Sequence, residues 1–240
     1  MYSMYAKYYD KLNKDYDHWI PFIRSQIPIE LSNRNMIEFG CGTGNVLSYF
    51  KNEYKLHGVD ISEDMLRHAK EKLPDAEFIN TNMVHYISQK KYQIALCLFD
   101  SINHVLDFND WKVFFKNVAY SLVEGGVFIL DANTTERLNM ITKRPALFAE
   151  FDSNYFYMKL IQKSTSNFIF DVRVLKRIND TVFEEEREEI EETTERGATI
   201  YAALNEAFSI VKVFNEKKEE IDLNLFQEFE KHRWFFSCKK

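Results

Sequence analysis

The chain has 240 residues, 45% of them apolar and 28% charged, enough for one domain with an insertion, or a domain plus a small subdomain, around a substantial core. Its net charge of −6 offers no broad basic field for a phosphate backbone, so nucleic acid is not an expected partner. The three cysteines, Cys41, Cys97 and Cys238, lie far apart and are odd in number, which argues against disulfides and a zinc site.

Residues 1–30 carry Tyr2, Tyr5, Tyr8, Tyr9, Leu12, Tyr16, Trp19, Ile20 and Ile23, largely at three- and four-residue spacings. That spacing predicts one or two amphipathic helices, the second starting near Pro21 and ending by Pro28. Most of these aromatics are expected to pack on a sheet. The stretch lacks the charged-then-apolar pattern of a leader, and no apolar run reaches membrane-spanning length. The expectation is a cytoplasmic protein with no membrane partner.

Met36, Ile37 and Phe39 form a short apolar run of the buried parallel-strand kind. Gly40, Gly42 and Gly44 follow, allowing backbone angles closed to other residues and a close approach of ligand to main chain. A helix expected from Asn45 would present free amide groups, which favour an anionic or carboxylate-bearing ligand. The next strand, 55–59, ends at Asp60, whose carboxylate can accept both hydroxyl protons of a ribose at the ligand-binding edge of an open α/β sheet. The unit has the order needed to hold an adenosine. Dinucleotide sites use G-x-G-x-x-G, whereas this turn reads Gly40-Cys-Gly-Thr-Gly44, so a nicotinamide-dependent oxidoreductase is the weaker reading.

Ser62 is an N-cap candidate for a helix with Met65, Leu66 and Ala69 on its apolar side, ended by Pro74. Residues 76–79 read as a third strand. Residues 92–99 give the strongest buried-strand signal and run into Asp100-Ser-Ile-Asn-His104. A helix over 109–122 leads through a turn at 124–126 into a fifth strand, 127–130. From about Asn133 the alternation stops, and 155–161, 168–178 and 182–190 read as extended. The turn at Asn179-Asp180 favours an antiparallel sheet over a solvated helix for the acidic run 184–192. A last core helix is expected over 193–206, and 208–214 with 233–238 as a closing antiparallel pair.

Taken in order, these motifs resemble the class I S-adenosylmethionine-dependent methyltransferases, small-molecule branch, whose first motif is similar to Glu38-Phe-Gly-Cys-Gly-Thr-Gly44. The resemblance implies an α/β fold: a Rossmann-like seven-stranded methyltransferase sheet with an inserted antiparallel β-sheet. It divides the chain into an N-terminal helical cap (1–30), a core (31–132 and 193–240) and the inserted subdomain (133–192). It implies S-adenosyl-L-methionine as cofactor, held by Glu38, Gly40, Cys41, Gly42, Asp60, Ile61, Met65, Asn82, Met83 and Phe99, with Tyr9 covering it. Ile61 and Met65 would flank the adenine. Asn82 stands where the family commonly has Asp; its amide can still accept from the adenine amino group, or it is simply a turn residue.

The strand ending near Phe99 would lie beside the first strand and face the reactive methyl group. His104 is then the candidate general base, in a Ser101-Ile-Asn-His104 stretch similar to the Ser-Ile-Gly-His of sugar-amine N-methyltransferases; the other reading is a hydrogen-bonded helix-start histidine. Asp100 and Asn103 either orient an amine or hydroxyl or cap the following helix. Tyr155, Tyr157 and Phe168 either wall an acceptor pocket or fill a core. His18, His57, His68, His85 and His232 make no metal-like cluster in sequence, so no metal is expected.

The expected enzyme methylates N or O of a small polar metabolite, as monomer or homodimer. The alternative is a protein that binds S-adenosylmethionine or S-adenosylhomocysteine without catalysis, as a sensor or partner subunit.

Overall fold

The computed structural model describes residues 3–12, 16, 18–28, 34–222 and 233–240. Tyr2, His232 and the proposed boundary between residues 30 and 31 lie outside them.

Two N-terminal helices, α1 (Ser3–Leu12) and α2 (Trp19–Gln26), precede the wound core of β1 (Asn35–Phe39), α3 (Asn45–Ser48), β2 (Lys55–Asp60), α4 (Glu63–Lys72), β3 (Glu77–Asn80) and β4 (Tyr92–Cys97). A 3-10 turn at Ser101–His104, α5 (Phe108–Ser121) and β5 (Leu122–Ala132) follow. Then come α6 (Thr135–Thr142), β6 (Leu147–Phe151), β7 (Asn154–Gln162), β8 (Asn167–Arg177), β9 (Phe183–Thr193), α7 (Gly197–Asn205), β10 (Ile210–Phe214) and β11 (Trp234–Lys239).

The core sheet has the order β10-β11-β5-β4-β1-β2-β3. Strands β5, β4, β1, β2 and β3 run parallel; at the edge β11 pairs antiparallel with β5, and β10 antiparallel with β11. The fold is therefore the seven-stranded methyltransferase sheet expected from sequence. From β1 the chain steps outward through β2 and β3, then returns to place β4 on the other side. The carboxyl ends of β1 and β4 thus flank the switch point where open α/β sheets bind ligands.

Alternation explains why β1 and β4 are buried on both faces. Ile37, Phe39, Ala95 and Cys97 pack with Trp111, Phe114, Phe115, Ile200 and Leu204 of α5 and α7, while Met36, Ile94 and Leu96 pack with Trp19, Phe22, Leu47 and Leu66 on the other side. The second sheet is an antiparallel meander, β6-β7-β8-β9. Its residues Phe156, Val172, Val174 and Ile190 cluster with Met4 and Tyr8 of α1. The N-terminal aromatics thus split between the two sheets.

Several local expectations change. Helix α3 is a single turn, so little of a helix dipole stands behind the glycine turn. Strand β4 ends at Cys97, and Phe99 and Asp100 both adopt left-handed backbone (φ 56° and 58°). In place of a turn at 124–126, β5 starts at Leu122 opposite Tyr92 and slips register to pair Val127 with Ile94, Gly125 (φ 74°) taking up the irregularity. The acidic run 184–192 is strand, as favoured; α6 and β6 had no counterpart in the sequence reading. Thr193 closes β9 and does not start α7.

Candidate active site

A cavity of about 760 Å³ opens at the carboxyl ends of β1, β2 and β4, between the core and the inserted sheet. Tyr9, Gly40, Gly42, Asp60, Ile61, Met65, Asn82, Met83, Phe99, Asp100 and His104 all line it. Residues 183 positions apart are thus drawn to one concave surface, from Tyr9 to Glu192.

The glycine turn is shaped by two close approaches. Gly40 has φ 66°, and a Cβ there would lie 2.5 Å from Ser101 Oγ, so the turn after β4 closes onto bare backbone. Gly42 (φ 51°) lies beneath the Tyr9 ring, whose Cε1 is 3.9 Å from where its Cβ would be. Asp60 is fixed by two backbone amides: Gly42 N–H donates to Oδ2 and Ser62 N–H to Oδ1, both at 2.8 Å. Each oxygen keeps acceptor capacity toward the cavity. Burial nevertheless raises its carboxyl above the ordinary value, against the pull of those two amides. Ser62 caps α4 as expected, accepting from the amide of Met65 at 3.3 Å.

The cap is latched to this turn. Thr43 Oγ1 (2.5 Å) and Asn45 Nδ2 (2.8 Å) donate to Asp10 Oδ1, and Lys72 Nζ donates to Asp10 Oδ2 at 2.9 Å. Burial pushes the Asp10 carboxyl up, but these bonds outweigh it and hold it below the usual range. Asn45 also donates to Tyr16 Oη at 2.7 Å. Burial raises the phenol of Tyr9 well above its ordinary value, and that of Tyr16 to about 12.

Five of the site residues expected from sequence lie away from the cavity wall. Glu38 and Cys41 do not line the cavity. Glu38 is buried beneath the turn with Oε2 unpartnered, and burial with the nearby Asp60 pushes its carboxyl well up. Cys41 Sγ turns inward against Gly58, where a Cβ would come within 2.7 Å of it. Asn103 is fully buried and ties three segments together: Nδ2 donates to the carbonyls of Asn133 (3.2 Å) and Thr193 (2.8 Å), and Oδ1 accepts from Asn133 N at 2.9 Å. It neither caps a helix nor reaches an acceptor. Tyr155 and Tyr157 lie on the face of β7 opposite Phe156 and Met158, and Met158 is the one that reaches the cavity. Tyr155 stacks instead on Phe148, at 5.5 Å and 21°. Phe168 is core, packed with Leu138 and Leu160.

Asn82 does line the cavity, but its Oδ1 accepts from Val84 N at 2.9 Å, so the amide is partly committed to a turn. Asp100 is committed further. Arg233 Nη2 donates to its Oδ1 at 2.6 Å and Asn133 Nδ2 to its Oδ2 at 2.9 Å. Arg233 also pairs with Asp131 (3.3 Å) and donates through Nε to Asn133 Oδ1 at 3.1 Å. This network clamps the left-handed Phe99–Asp100 pair, a conformation that costs roughly 1–2 kcal/mol per residue without support. Burial raises Asp131 to about 6 even though Arg233 pulls it down.

Sequence reasoning missed Asp131, Asn133, Arg137, Glu192 and Arg233. Asp131 and Asn133 carried a usable signal, polar residues at the carboxyl end of a core strand. Arg233 and Glu192 carried none, since one opens an apolar strand and the other sits in an acidic run.

His104 is anchored through Nδ1, 2.9 Å from the carbonyl of Glu191. A carbonyl only accepts, so Nδ1 holds the proton and Nε2 faces Glu192 Oε1 at 3.6 Å. The site therefore joins a carboxylate and bare backbone on the core side to an imidazole beside a buried carboxyl.

Residues 36–126 match the family model described as "Methyltransferase domain". The chain is 37% identical over 108 residues to the trans-aconitate 2-methyltransferase of Afipia carboxidovorans, covering 43% of this chain and 40% of that protein. It is 29% identical over 134 residues to the dTDP-3-amino-3,4,6-trideoxy-alpha-D-glucopyranose N,N-dimethyltransferase of Streptomyces venezuelae, covering 54% and 55%. The chain thus spans about half the length of these curated relatives. Over 99% of its length it shares the fold of an S-adenosylmethionine-dependent methyltransferase from Clostridium acetobutylicum, with TM-score 0.81, 23% identity and 98% of that chain covered. The ordered motifs, the sheet and these matches agree on a class I S-adenosylmethionine-dependent methyltransferase domain, which the family model spans over residues 36–126.

Proposed function

We propose that this chain transfers the methyl group of S-adenosylmethionine to a nitrogen or oxygen atom of a small polar metabolite. The observation that carries the reading is a single cavity with Asp60 and the glycine turn on one side and His104 on the other. Its residues fit the cofactor. Ile61 lines the cavity yet is 56% exposed, an apolar surface suited to an adenine face, with Met65 and Met83 nearby. Asp60 retains acceptor sites for the ribose, and Gly42 leaves the space below Tyr9 clear. Asn82, Phe99 and Tyr9 complete the set that would hold it.

When bound, S-adenosylmethionine supplies a methyl group activated on a sulfonium. The chain's contribution is alignment and exclusion of water, with Tyr5 and Tyr9 of α1 and the inserted sheet roofing the cavity. His104 would be the base that takes a proton from the acceptor. The relatives' names, one for trans-aconitate and one for an amino sugar, support a small polar acceptor and leave both nitrogen and oxygen in play. The working organisation is a cytoplasmic enzyme, monomer or homodimer, with cap 1–30, core 31–132 and 193–240, and insertion 133–192.

The test is transfer of label from methyl-labelled S-adenosylmethionine to a panel of small amines, alcohols and carboxylates. Transfer to one class is the expected result. Tight cofactor binding without transfer to any acceptor would favour a non-catalytic sensor.

A further inference from the structure

Helix α6 buries only one side chain, Leu138. A second stripe of the same helix faces the cavity. Arg137, Ile141 and Arg144 follow at steps of four and three residues, the spacing that stacks side chains on one helix face, and all three line the cavity. Arg144 stands just past the last helical residue, but its backbone N–H donates to the Ile141 carbonyl at 3.0 Å, so the turn carries on to it. Lys159 of β7 pins that end, donating through Nζ to the carbonyl of Thr142 at 2.9 Å and to that of Arg144.

Neither guanidinium is used up by the protein itself. Arg137 donates through Nη1 to Glu216, a carboxylate in the turn after β10, while its Nε is buried with no hydrogen-bond partner. A buried N–H without an acceptor costs free energy, which an incoming acceptor removes. Among the described residues the Arg144 side chain has neither a hydrogen bond nor an ion pair. Arg233, the third guanidinium of the cavity, differs from both, because Asp100, Asp131 and Asn133 already occupy it. The position of α6 also separates its arginines from the ribose side. The helix follows β5, three strands along the sheet from Asp60 at the end of β2, roughly 14 Å at the usual strand spacing. Beyond it the inserted sheet contributes Met158, Phe170 and Ile190, apolar side chains that leave recognition of a polar acceptor to the arginines.

We propose that Arg137 and Arg144 form an oxyanion subsite at the acceptor end of the cavity, and that the metabolite methylated by this chain carries a carboxylate or phosphate group that docks there. The inference rests on the methyltransferase reading and narrows its acceptor from a small polar molecule to an anionic one. A guanidinium presents its N–H groups in a planar fork that matches two oxygens of a carboxylate or a phosphate. Arg137 Nε gains the acceptor it lacks, and Arg144 gains its counter-charge. A neutral amine or alcohol obtains no ion pair from the stripe, and a cationic one is repelled by it, so the subsite selects acceptors by charge. Helix α6 thereby has a use that its single buried side chain does not supply.

The test is calorimetric titration with citrate and with pyrophosphate, in the presence and absence of S-adenosylhomocysteine, on wild type, Arg137→Met and Arg144→Gln. The expected result is that at least one probe binds wild type and that each variant weakens it ~10-fold or more, as for loss of a charge-assisted hydrogen bond. The tighter probe tells a carboxylate site from a phosphate site. Binding of neither probe, or equal binding in wild type and both variants, overturns the subsite. So does a loss of S-adenosylhomocysteine affinity as large as the loss for the probe, since the arginines would then hold the cofactor's own carboxylate. If Arg137→Met does not fold, the exposed Arg144, as Arg144→Gln, decides the matter alone. The underlying reading fails separately: wild type that binds a probe through the arginines but binds no S-adenosylhomocysteine keeps the subsite and loses the methyltransferase.

Discussion

The core edge and the inserted sheet face each other across one cavity but place their polar groups by different rules. On the core side Gly40, Asp60, Asn82, Asp100 and Asp131 each follow or close a parallel strand, so chain order alone brings them to one edge. On the inserted side, which residues face inward depends on the parity of each strand and on what covers the sheet. In β7, Tyr155, Phe156, Tyr157 and Met158 are all apolar or aromatic, so alternation cannot choose a face. Packing of α1 against Phe156 does. Local chemistry sets the core side of the cavity, and long-range contact sets the inserted side.

The largest effect that would test this division comes from the bridge between the two sides. Arg233→Met removes the cation paired with the buried Asp131 and the half-buried Asp100, and should cost about 3–5 kcal/mol in urea unfolding. A loss below about 1 kcal/mol, the range of exposed pairs, would mean the clamp is not what holds the Phe99–Asp100 turn.

Next comes a pH dependence set by the same cluster. Glu192 and Asp131 bind protons more tightly folded than unfolded, Asp131 at about 6. Their contribution to stability is thus complete below the unfolded carboxyl value near 4 and declines as pH rises through the folded values. Glu192→Gln should flatten the decline in melting temperature between about pH 4 and 7, while a slope equal to wild type would show that Glu192 ionises freely.

The smallest effect is expected outside the cavity. Tyr155→Ala should cost on the order of 1 kcal/mol through its contacts with Phe148 and Phe183, and leave S-adenosylmethionine affinity unchanged. Weakened cofactor binding would return Tyr155 to the cavity wall.

The same contrast explains what could be read in advance. The glycine turn and the Ser62 cap follow from apolar runs and turn residues within a few positions of each other, while the seven-stranded sheet and the placing of β4 beside β1 followed from the family resemblance those motifs carry. The role of Asp100 did not follow, because its partner Arg233 is 133 residues away. Asn103 was misread for a similar reason: its partners, Asn133 and Thr193, come from the ends of β5 and β9. Helix α6 begins at a Thr134 cap that a sequence reading could have used, but few apolar residues follow it, and only Leu138 is buried. Glu192 was hidden among seven glutamates between 184 and 192, where only the β9 register separates it from its exposed neighbours.

The central claim is that Asp60 and the glycine turn hold the adenosine end of a sulfonium cofactor. Calorimetric titration of wild type and Asp60→Ala with S-adenosylmethionine, with NAD in parallel, tests it most directly. Sulfonium binding to wild type, no comparable NAD binding and a loss of ~10-fold or more in the variant are the expected results, as for a buried charge-assisted hydrogen bond. Equal affinity in the two proteins, or binding of NAD alone, would contradict it.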